Sequence, residues 1–195
     1  MRVIAGEFRS RKLKSLPGLD TRPTPDRLRE SLFSILQPRI EGAVFIDAYA
    51  GTGSVGIEAL SRGASRVVFL ERSPLAIRVI EDNLYALGIG NRGRVAKGRV
   101  SSLLKVHAAG ANIVFLDPPY ELDDEYTQTL EWLGEHPPEL VIVQHHPKRQ
   151  LADVYGQLER TRNVRQGDNS LTFYTSKLTP QFGSATPDFT PESGT

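Results

Sequence analysis

The chain has 195 residues, the size of one domain, and 39% of them are hydrophobic, which is enough to bury a sizeable core. Its formal net charge is only +1, so any attraction to nucleic acid has to come from local patches. The absence of cysteine excludes disulfides and thiolate metal sites. No apolar stretch approaches the roughly 20 residues that span a bilayer, and the N-terminus has no signal-peptide pattern. We therefore expect a cytoplasmic protein without a membrane segment.

The first 39 residues form a basic block, with nine Arg or Lys residues against four Asp or Glu. Val3–Leu16 is interpreted as a short hairpin. The pattern after it predicts a helix with Thr24 as N-cap and Pro25 as its first residue, ending at Pro38. Because basic side chains neutralise phosphates without reading sequence, the block is either an RNA-binding extension or an ordinary solvated face. The candidate RNA-binding residues are Arg2, Arg9, Arg11, Lys12, Lys14, Arg22 and Arg29.

A glycine-rich loop follows the first long apolar run. Ala43–Ala48 is a predicted buried strand, Gly51–Gly56 has the G-x-G-x-x-G spacing, and Ile57–Ser61 continues as a helix. These glycines permit a tight turn and a close approach of the backbone to a cofactor, although the spacing alone does not separate NAD from S-adenosylmethionine. The candidate cofactor residues of this region are Asp47, Ala48, Tyr49, Ala50, Gly51, Thr52, Gly53, Ser54 and Gly56.

A carboxylate follows the next predicted strand, Arg66–Leu70. Glu71 lies 18 residues after Gly53, close to the spacing of a carboxylate that binds ribose hydroxyls. We expect Arg72 to flank the adenine and Ser73 to cap a helix over 74–87. A further strand is predicted at 94–97, ahead of Arg99 and Val100, which are also candidate cofactor residues.

The strongest local signal is Asp117-Pro118-Pro119-Tyr120, directly after the predicted strand Ile113–Leu116. Two successive prolines cannot continue a strand, so Asp117 is expected at the carboxyl edge of a sheet, where open α/β sheets bind ligands. Asp117 and the carbonyl of Pro118 would accept the two N–H bonds of an exocyclic amine, and Tyr120 would stack on its ring. We predict these four residues to be catalytic; the alternative is a proline-stiffened turn with a capping Asp.

The remaining pattern predicts a helix at 122–133, a strand at 139–144 and a final strand pair at 156–164 and 170–175. His145 and His146 are adjacent and lack partners at metal-ligand spacing, so no metal site is expected. After Lys177 the composition shifts to Pro, Ser, Thr and Gly, and we interpret 178–195 as a mostly disordered tail.

The motif at Asp117 resembles the [D/N/S]-P-P-[Y/F/W] motif of amino-methyltransferases. Residues 1–176, through the blocks R-V-I-A-G-E-F-R-S-R-K-L, R-P-T-P-D-R-L-R-E-S-L-F-S-I-L and D-A-Y-A-G-T-G-S-V-G-I-E-A-L-S-R-G-A, resemble the bacterial 16S ribosomal RNA guanine-N2 methyltransferase family. The resemblance implies a class I, Rossmann-like α/β fold: a mostly parallel seven-stranded sheet with helices on both faces and a small N-terminal extension. The corresponding division is an RNA-binding extension (1–39), a methyltransferase domain (40–177) and the tail.

The resemblance also implies a function. S-adenosyl-L-methionine would be the cofactor, leaving as S-adenosyl-L-homocysteine. The substrate would be the N2 amine of one guanine in 16S rRNA, the partner would be the assembling small ribosomal subunit, and we expect a monomer. In the related enzymes an acidic residue after the strand that corresponds to 94–97 often binds the adenine amine; here that position is occupied by Arg99, which cannot accept a hydrogen bond. A glutamate usually ends the strand where this chain has Gln144-His145-His146.

Three other functions remain open from the sequence. A DNA adenine or cytosine N-methyltransferase, or one that modifies protein glutamine, uses the same motif logic, and only the basic block argues against it. A nicotinamide oxidoreductase would use the glycine loop but gives no reason for the Asp117 motif. A non-catalytic RNA-binding assembly protein fits the basic block but not two complete motifs.

Overall fold

The computed structural model describes residues 1–16, 26–119 and 123–178. The helices within these ranges are α1 (Asp26–Ile40), α2 (Ser54–Ser61), α3 (Pro74–Ala86), α4 (Val100–His107) and α5 (Asp123–Glu135). The strands are β1 (Val44–Ala48), β2 (Arg66–Glu71), β3 (Gly93–Lys97), β4 (Ile113–Leu116), β5 (Leu140–His145), β6 (Val154–Tyr155), β7 (Leu158–Gln166) and β8 (Asn169–Ser176).

The strands form one sheet in the order β3-β2-β1-β4-β5-β8-β7-β6. Strands β1 to β5 are parallel, whereas β8 runs antiparallel between β5 and β7. The predicted α/β class is confirmed. The expected strand number of seven is wrong, because Val154 and Tyr155 pair with Glu159 and Leu158 as an additional short edge strand. Gly156, predicted inside a strand, instead lies in the turn between β6 and β7 with φ +54°.

Helices cover both faces of the sheet. Alternate residues of β1 point to opposite sides, so Phe45 packs with residues of α1, α2 and α3, and Ile46 packs with residues of α4 and α5. Burying each such side chain stabilises the fold by about 1.5–3 kcal/mol. Because helices cover both faces of the sheet, a site can form only where loops leave the carboxyl ends of the parallel strands.

The N-terminal segment forms a minimal version of the expected hairpin and docks on α2. The antiparallel bridge between Arg2 and Lys12 is flanked by backbone hydrogen bonds from Val3 to Arg11 at 3.0 Å and from Leu13 to Met1 at 3.1 Å. The backbone N–H groups of Ile4 and Ala5 donate to the carboxylate of the fully buried Glu58 at 2.8 and 3.0 Å. Satisfying a buried carboxylate in this way fixes the segment firmly, because leaving either partner unpaired would be costly.

Apolar contacts complete this docking. Val3, Phe8 and Leu13 are buried in the same cluster as Phe45 of β1. A Cβ on Gly6 would lie 1.8 Å from the Ser61 carbonyl oxygen, so only glycine permits the approach. The first 16 residues are thus packed against the core around α2 and β1.

The helices differ from the predictions mainly in the end of α1 and in the presence of α4. The first helix does not end at Pro38 but continues to Ile40, whose side chain is buried. A proline in a last turn removes a single helical hydrogen bond, and the burial of Ile40 offsets that loss. The predicted N-terminus of the helix, Thr24 and Pro25, lies outside the described residues.

The second difference is α4, which the sequence pattern did not predict. The predicted cap of α3 is confirmed, since Ser73 Oγ accepts from the Ala76 N–H at 3.4 Å. None of the helices in the described ranges is long and apolar enough to cross a membrane.

Candidate active site

Three acidic residues meet at the carboxyl edge of the sheet. Ala48 of β1 is in register with Leu70 of β2 and Leu116 of β4, so Glu71 and Asp117 occupy the same edge on either side of β1. Asp47 precedes Ala48 on the strand between them. The Asp117 N–H donates to the Ala48 carbonyl at 3.3 Å, which ties the two candidate motifs together.

The glycine loop after β1 is built from left-handed backbone. Gly51 has φ +55°, Gly53 has φ +75°, and Tyr49 adopts φ +63° although it has a side chain. A Cβ on Gly51 would meet nothing within 4 Å, so the loop backbone borders open space there. A Cβ on Gly56 would lie 2.3 Å from Phe69 Cε1, so this glycine permits α2 to pack on β2.

Asp47 is buried behind this loop. Its Oδ2 accepts from the Gly56 N–H at 2.8 Å, at the N-terminus of α2. Burial raises the pKa of Asp47 well above its usual value; the Gly56 hydrogen bond opposes this shift, and the charges of Asp117 and Glu71 add to it. A cationic ligand at this edge would relieve the repulsion among the three carboxylates.

Glu71 connects the glycine loop to the turn after β2. One carboxylate oxygen accepts from the Gly51 N–H at 2.9 Å, and the other accepts from the N–H groups of Arg72 and Ser73, both at 2.8 Å. A carboxylate offers about four lone-pair sites, so Glu71 can also accept from a ribose hydroxyl. The side chain of Arg72 is exposed.

Residues 98–100 complete the wall beside Glu71. The Gly98 N–H donates to the Glu71 carbonyl at 3.0 Å. Arg99 is exposed at the N-cap of α4, and the side chain of Val100 is buried in the core. Val100 therefore offers its backbone, rather than its side chain, to a ligand at this position.

Asn83 of α3 joins the loop to the N-terminal segment. Its Nδ2 donates to the Thr52 carbonyl at 3.4 Å and to the Lys14 carbonyl at 3.2 Å, while its Oδ1 accepts from the Lys14 N–H at 2.8 Å. The sequence did not single out this residue, because only the fold brings the three segments together.

The Asp117 turn lies on the other side of β1. Burial raises the pKa of Asp117 to about 7. The carbonyl of Pro118 lies 3.0 Å from the hydroxyl of the buried Tyr126, which is also 3.2 Å from the Gln144 carbonyl. Pro119 is exposed, and Tyr120 lies outside the described residues. Tyr126 was missed because its position in an amphipathic helix predicts only a core residue.

The candidate RNA-binding residues fall into three groups. The exposed ones are Arg2, Arg9, Arg11, Lys12 and Lys14. Arg22 lies outside the described residues. Arg29 corrects the prediction: its side chain is fully buried and donates to the Arg2 carbonyl and to Asp26, both at 2.8 Å. It therefore anchors the N-terminal segment to α1 and cannot reach an RNA phosphate.

Two of the exposed basic residues are also tethered to α3. Arg11 donates to the Ala86 carbonyl at 2.9 Å, and Lys14 pairs with Asp82 at 3.0 Å. Such exposed contacts contribute about 0–1 kcal/mol each, so they orient the side chains without removing them from solvent. Within the described residues, no group of three or more His, Asp or Glu is arranged to hold a metal ion.

The sheet and its edge match known methyltransferase structures. An RNA methyltransferase of Salinibacter ruber in complex with S-adenosyl-L-homocysteine superposes with a TM-score of 0.61 at 18% identity, over 82% of this chain and 97% of that one. Fold and sequence relatives together define a class I methyltransferase. The open space at Gly51 and the carboxylate of Glu71 fit a nucleoside ligand such as the S-adenosyl-L-homocysteine bound by the Salinibacter ruber enzyme.

A narrower group is defined by sequence. The model of the family described as conserved hypothetical protein 95 matches residues 1–175, and the chain belongs to this family. It is 40% identical over 142 residues to ribosomal RNA small subunit methyltransferase D of Escherichia coli K12, covering 69% of this chain and 70% of the relative. It is 35% identical to the Bacillus subtilis protein YlbH over 89% of this chain and 98% of that one. The solved structure of Escherichia coli yhhF has a TM-score of 0.78 and 32% identity, covering 90% of this chain and 97% of that one.

Proposed function

We propose that this protein methylates the exocyclic N2 amine of a guanine in 16S ribosomal RNA. One observation carries the proposal: Asp117 shares the carboxyl edge of the sheet with the glycine loop and Glu71, so an amine acceptor lies beside a cofactor site. The relatives named as small-subunit ribosomal RNA methyltransferases supply the substrate class.

The cofactor supplies an activated methyl group on a sulfonium. The chain has to hold that group and align an amine with it while excluding water. Glu71 binds the ribose hydroxyls, Asp47 lies toward the methionine end, and the backbone at Arg99 and Val100 borders the adenine. Arg72 flanks the adenine from the opposite side.

Asp117 acts on the amine. Its carboxylate accepts one N–H of the guanine N2, while the Pro118 carbonyl accepts the other through the lone pair that Tyr126 does not use. Both bonds favour a pyramidal nitrogen and so strengthen toward the transition state. With the methyl group supplied by the cofactor, the amine nitrogen would have to lose a proton, and Asp117, whose carboxyl has a pKa of about 7, would accept it. Tyr120 is proposed to stack on the base, which must leave its RNA stack to enter.

The N-terminal segment is proposed to bind RNA phosphates through Arg2, Arg9, Arg11, Lys12, Lys14 and Arg22. The assembling small subunit is the proposed partner, encountered in the cytoplasm by a monomeric enzyme that needs no metal. Residues 1–39 are proposed as the RNA-binding extension of a methyltransferase domain at 40–177; of the tail expected at 178–195, residues 179–195 lie outside the described residues.

Mass-spectrometric mapping of ribosomal RNA, with and without the protein, tests this proposal. We expect one additional methyl on a guanine N2 in 16S rRNA, which is absent when Asp117→Asn replaces the wild type. A methyl on DNA or on a protein glutamine, with unmodified 16S rRNA, would support the alternative substrates instead. Thermal protection by NADH but not by S-adenosyl-L-methionine would point to an oxidoreductase.

A further inference from the structure

A polar groove lies beside the Asp117 turn, on the face of the sheet covered by α4 and α5. It has a volume of about 440 Å³ and opens between the end of β5, the 147–153 loop and the hairpin of β7 and β8. Three of its lining side chains are arginines: Arg149, Arg160 and Arg165. The acidic residue among the lining side chains is Asp153, which pairs with Arg160 at 3.2 Å, so the groove carries an excess of positive charge.

The floor of the groove is a fixed hydrogen-bond chain. The His146 carbonyl can only accept, so His145 Nδ1 carries the proton and donates to it at 2.9 Å. Nε2 of the neutral ring then accepts from the Thr172 hydroxyl at 2.8 Å, and that hydroxyl accepts from Asn163 Nδ2 at 2.9 Å. Burial lowers the pKa of His145, and the positive charges of Arg149 and Arg160 lower it further. The histidine is therefore neutral, and the positive charge of the groove resides on its arginines.

The groove is joined to the catalytic turn through Tyr126. The guanidinium of Arg149 lies 4.1 Å from the centre of the Tyr126 ring, and the Tyr126 hydroxyl contacts the Pro118 carbonyl. Strands β4 and β5 are neighbours, so the groove begins one strand beyond Asp117. The glycine loop follows β1, so the groove lies on the side of β1 that carries Asp117, the proposed amine acceptor.

The walls of the groove are held in place as well. Arg160 donates to the Leu151 carbonyl, and Tyr174 donates to the Ala152 carbonyl at 2.8 Å, which pins the 147–153 loop over β7 and β8. Arginine binds phosphate oxygens through paired N–H groups, and a preformed groove lowers the entropy cost of doing so. The other face of the hairpin offers no comparable phosphate-binding groove. There Val164 and Leu171 pack against the core beneath α1, α2 and α3.

We propose that this groove binds the phosphate backbone of the substrate RNA next to the target nucleotide, through Arg160 and Arg165 with Arg149 at the catalytic end. The inference rests on the proposed function for the identity of the RNA. It assigns to the β7–β8 hairpin a role in positioning the strand from which the guanine is flipped, separate from the N-terminal segment.

The test compares Arg160→Gln/Arg165→Gln and Arg165→Gln with a matched control, Arg66→Gln. Arg165 is exposed and donates locally to the Gly167 carbonyl at 3.5 Å; Arg66 is another exposed arginine, at the opposite end of the parallel strands. Affinity for a 16S rRNA transcript is measured at several salt concentrations, together with melting temperature and cofactor affinity. We expect the double variant to bind RNA about tenfold more weakly, with a salt slope lower by about 0.7–0.9 for each phosphate that is no longer neutralised. Cofactor affinity and the properties of Arg66→Gln should stay at the wild-type level.

Steady-state kinetics provide a second measurement. Because the groove contacts the RNA backbone and not the reacting atoms, the variants should raise KM for RNA and leave kcat at saturating RNA near wild type.

Wild-type RNA affinity and salt slope in both groove variants would overturn the inference, while methylation by the wild type would still support the proposed function. A wild-type protein that binds the transcript but methylates neither it nor assembling small subunits would overturn the proposed function alone. If inorganic phosphate raises the melting temperature of the wild type more than that of the double variant, but RNA affinity is unchanged, the groove is a small-anion site and the RNA assignment is wrong.

Discussion

Asp117 is the residue on which the proposed chemistry depends most. In the proposed mechanism it contacts the amine and not the cofactor, so Asp117→Asn should preserve the fold and cofactor affinity while lowering kcat by about 10²–10³, the effect of one preorganised hydrogen bond. Single-turnover methylation at saturating cofactor measures this directly. A folded, cofactor-binding Asp117→Asn that methylates at the wild-type rate would show that the carboxylate is not the amine acceptor.

The pKa of Asp117 makes the reaction sensitive to pH. With a value of about 7, the carboxylate form declines below neutrality, so kcat/KM should fall about tenfold per pH unit under pH 7.

Folding stability responds to pH in the opposite direction. Between about pH 4 and 7 the folded state holds a proton on Asp117 that the unfolded state has released. The stability that this group contributes is therefore lost as the pH rises through that window. Asp117→Asn should therefore gain melting temperature relative to wild type above pH 7 and not at pH 4. Equal pH profiles of melting temperature for the two proteins would contradict the raised pKa.

At the scale of elements, the contact between α2 and β2 sets the position of the glycine loop. Gly56→Ala places a methyl 2.3 Å from Phe69 Cε1, and overpacking of this kind costs about 1–3 kcal/mol of unfolding free energy. Phe69→Leu removes the clashing atom, so the double variant should be less destabilised than the sum of the two single changes. Urea unfolding of the four proteins measures the coupling; strictly additive losses would mean that α2 shifts instead of pressing on Phe69.

The sequence predicted elements whose signals are local. The apolar runs at β1, β2, β4 and β5 end in polar or glycine-rich residues, so both the strands and the edge that carries Asp47, Glu71 and Asp117 could be placed from the sequence. The parts that were missed depend on distant partners. Val154–Tyr155 becomes a strand only because β7 is beside it, and Tyr126 gains its role from the Pro118 carbonyl.

Arg29 is a residue that the sequence predicted to be functional but whose burial it could not predict. As a sequence feature it is one charge in a basic block, and the expectation of a solvent-facing residue was reasonable. In the fold its guanidinium meets Asp26 and the Arg2 carbonyl beneath the N-terminal segment, and no pattern of neighbouring residues signals that burial.

For the whole molecule, RNA affinity should divide between the N-terminal segment and the rest of the surface. Arg9→Gln/Lys12→Gln changes two exposed residues of the segment and should lower the salt slope of RNA binding by about 0.7–0.9 for each phosphate that the segment no longer neutralises. Arg66→Gln/Lys105→Gln removes one arginine and one lysine from exposed positions outside residues 1–39 and serves as the control. Equal salt slopes for the two double variants would indicate that the segment is only a solvated basic face.

The bonds of Asn83 to both Lys14 and Thr52 have a consequence for the order of events in a catalytic cycle. One amide holds the basic segment with two hydrogen bonds and the glycine loop with a third, so a ligand that displaces either segment changes the free energy of the other. Thermodynamic linkage requires such an effect to be reciprocal: the factor by which cofactor alters RNA affinity equals the factor by which RNA alters cofactor affinity. Under the proposed function, a cofactor that shifts the glycine loop would change RNA affinity through Asn83, and RNA bound to the segment would change cofactor affinity by the same factor.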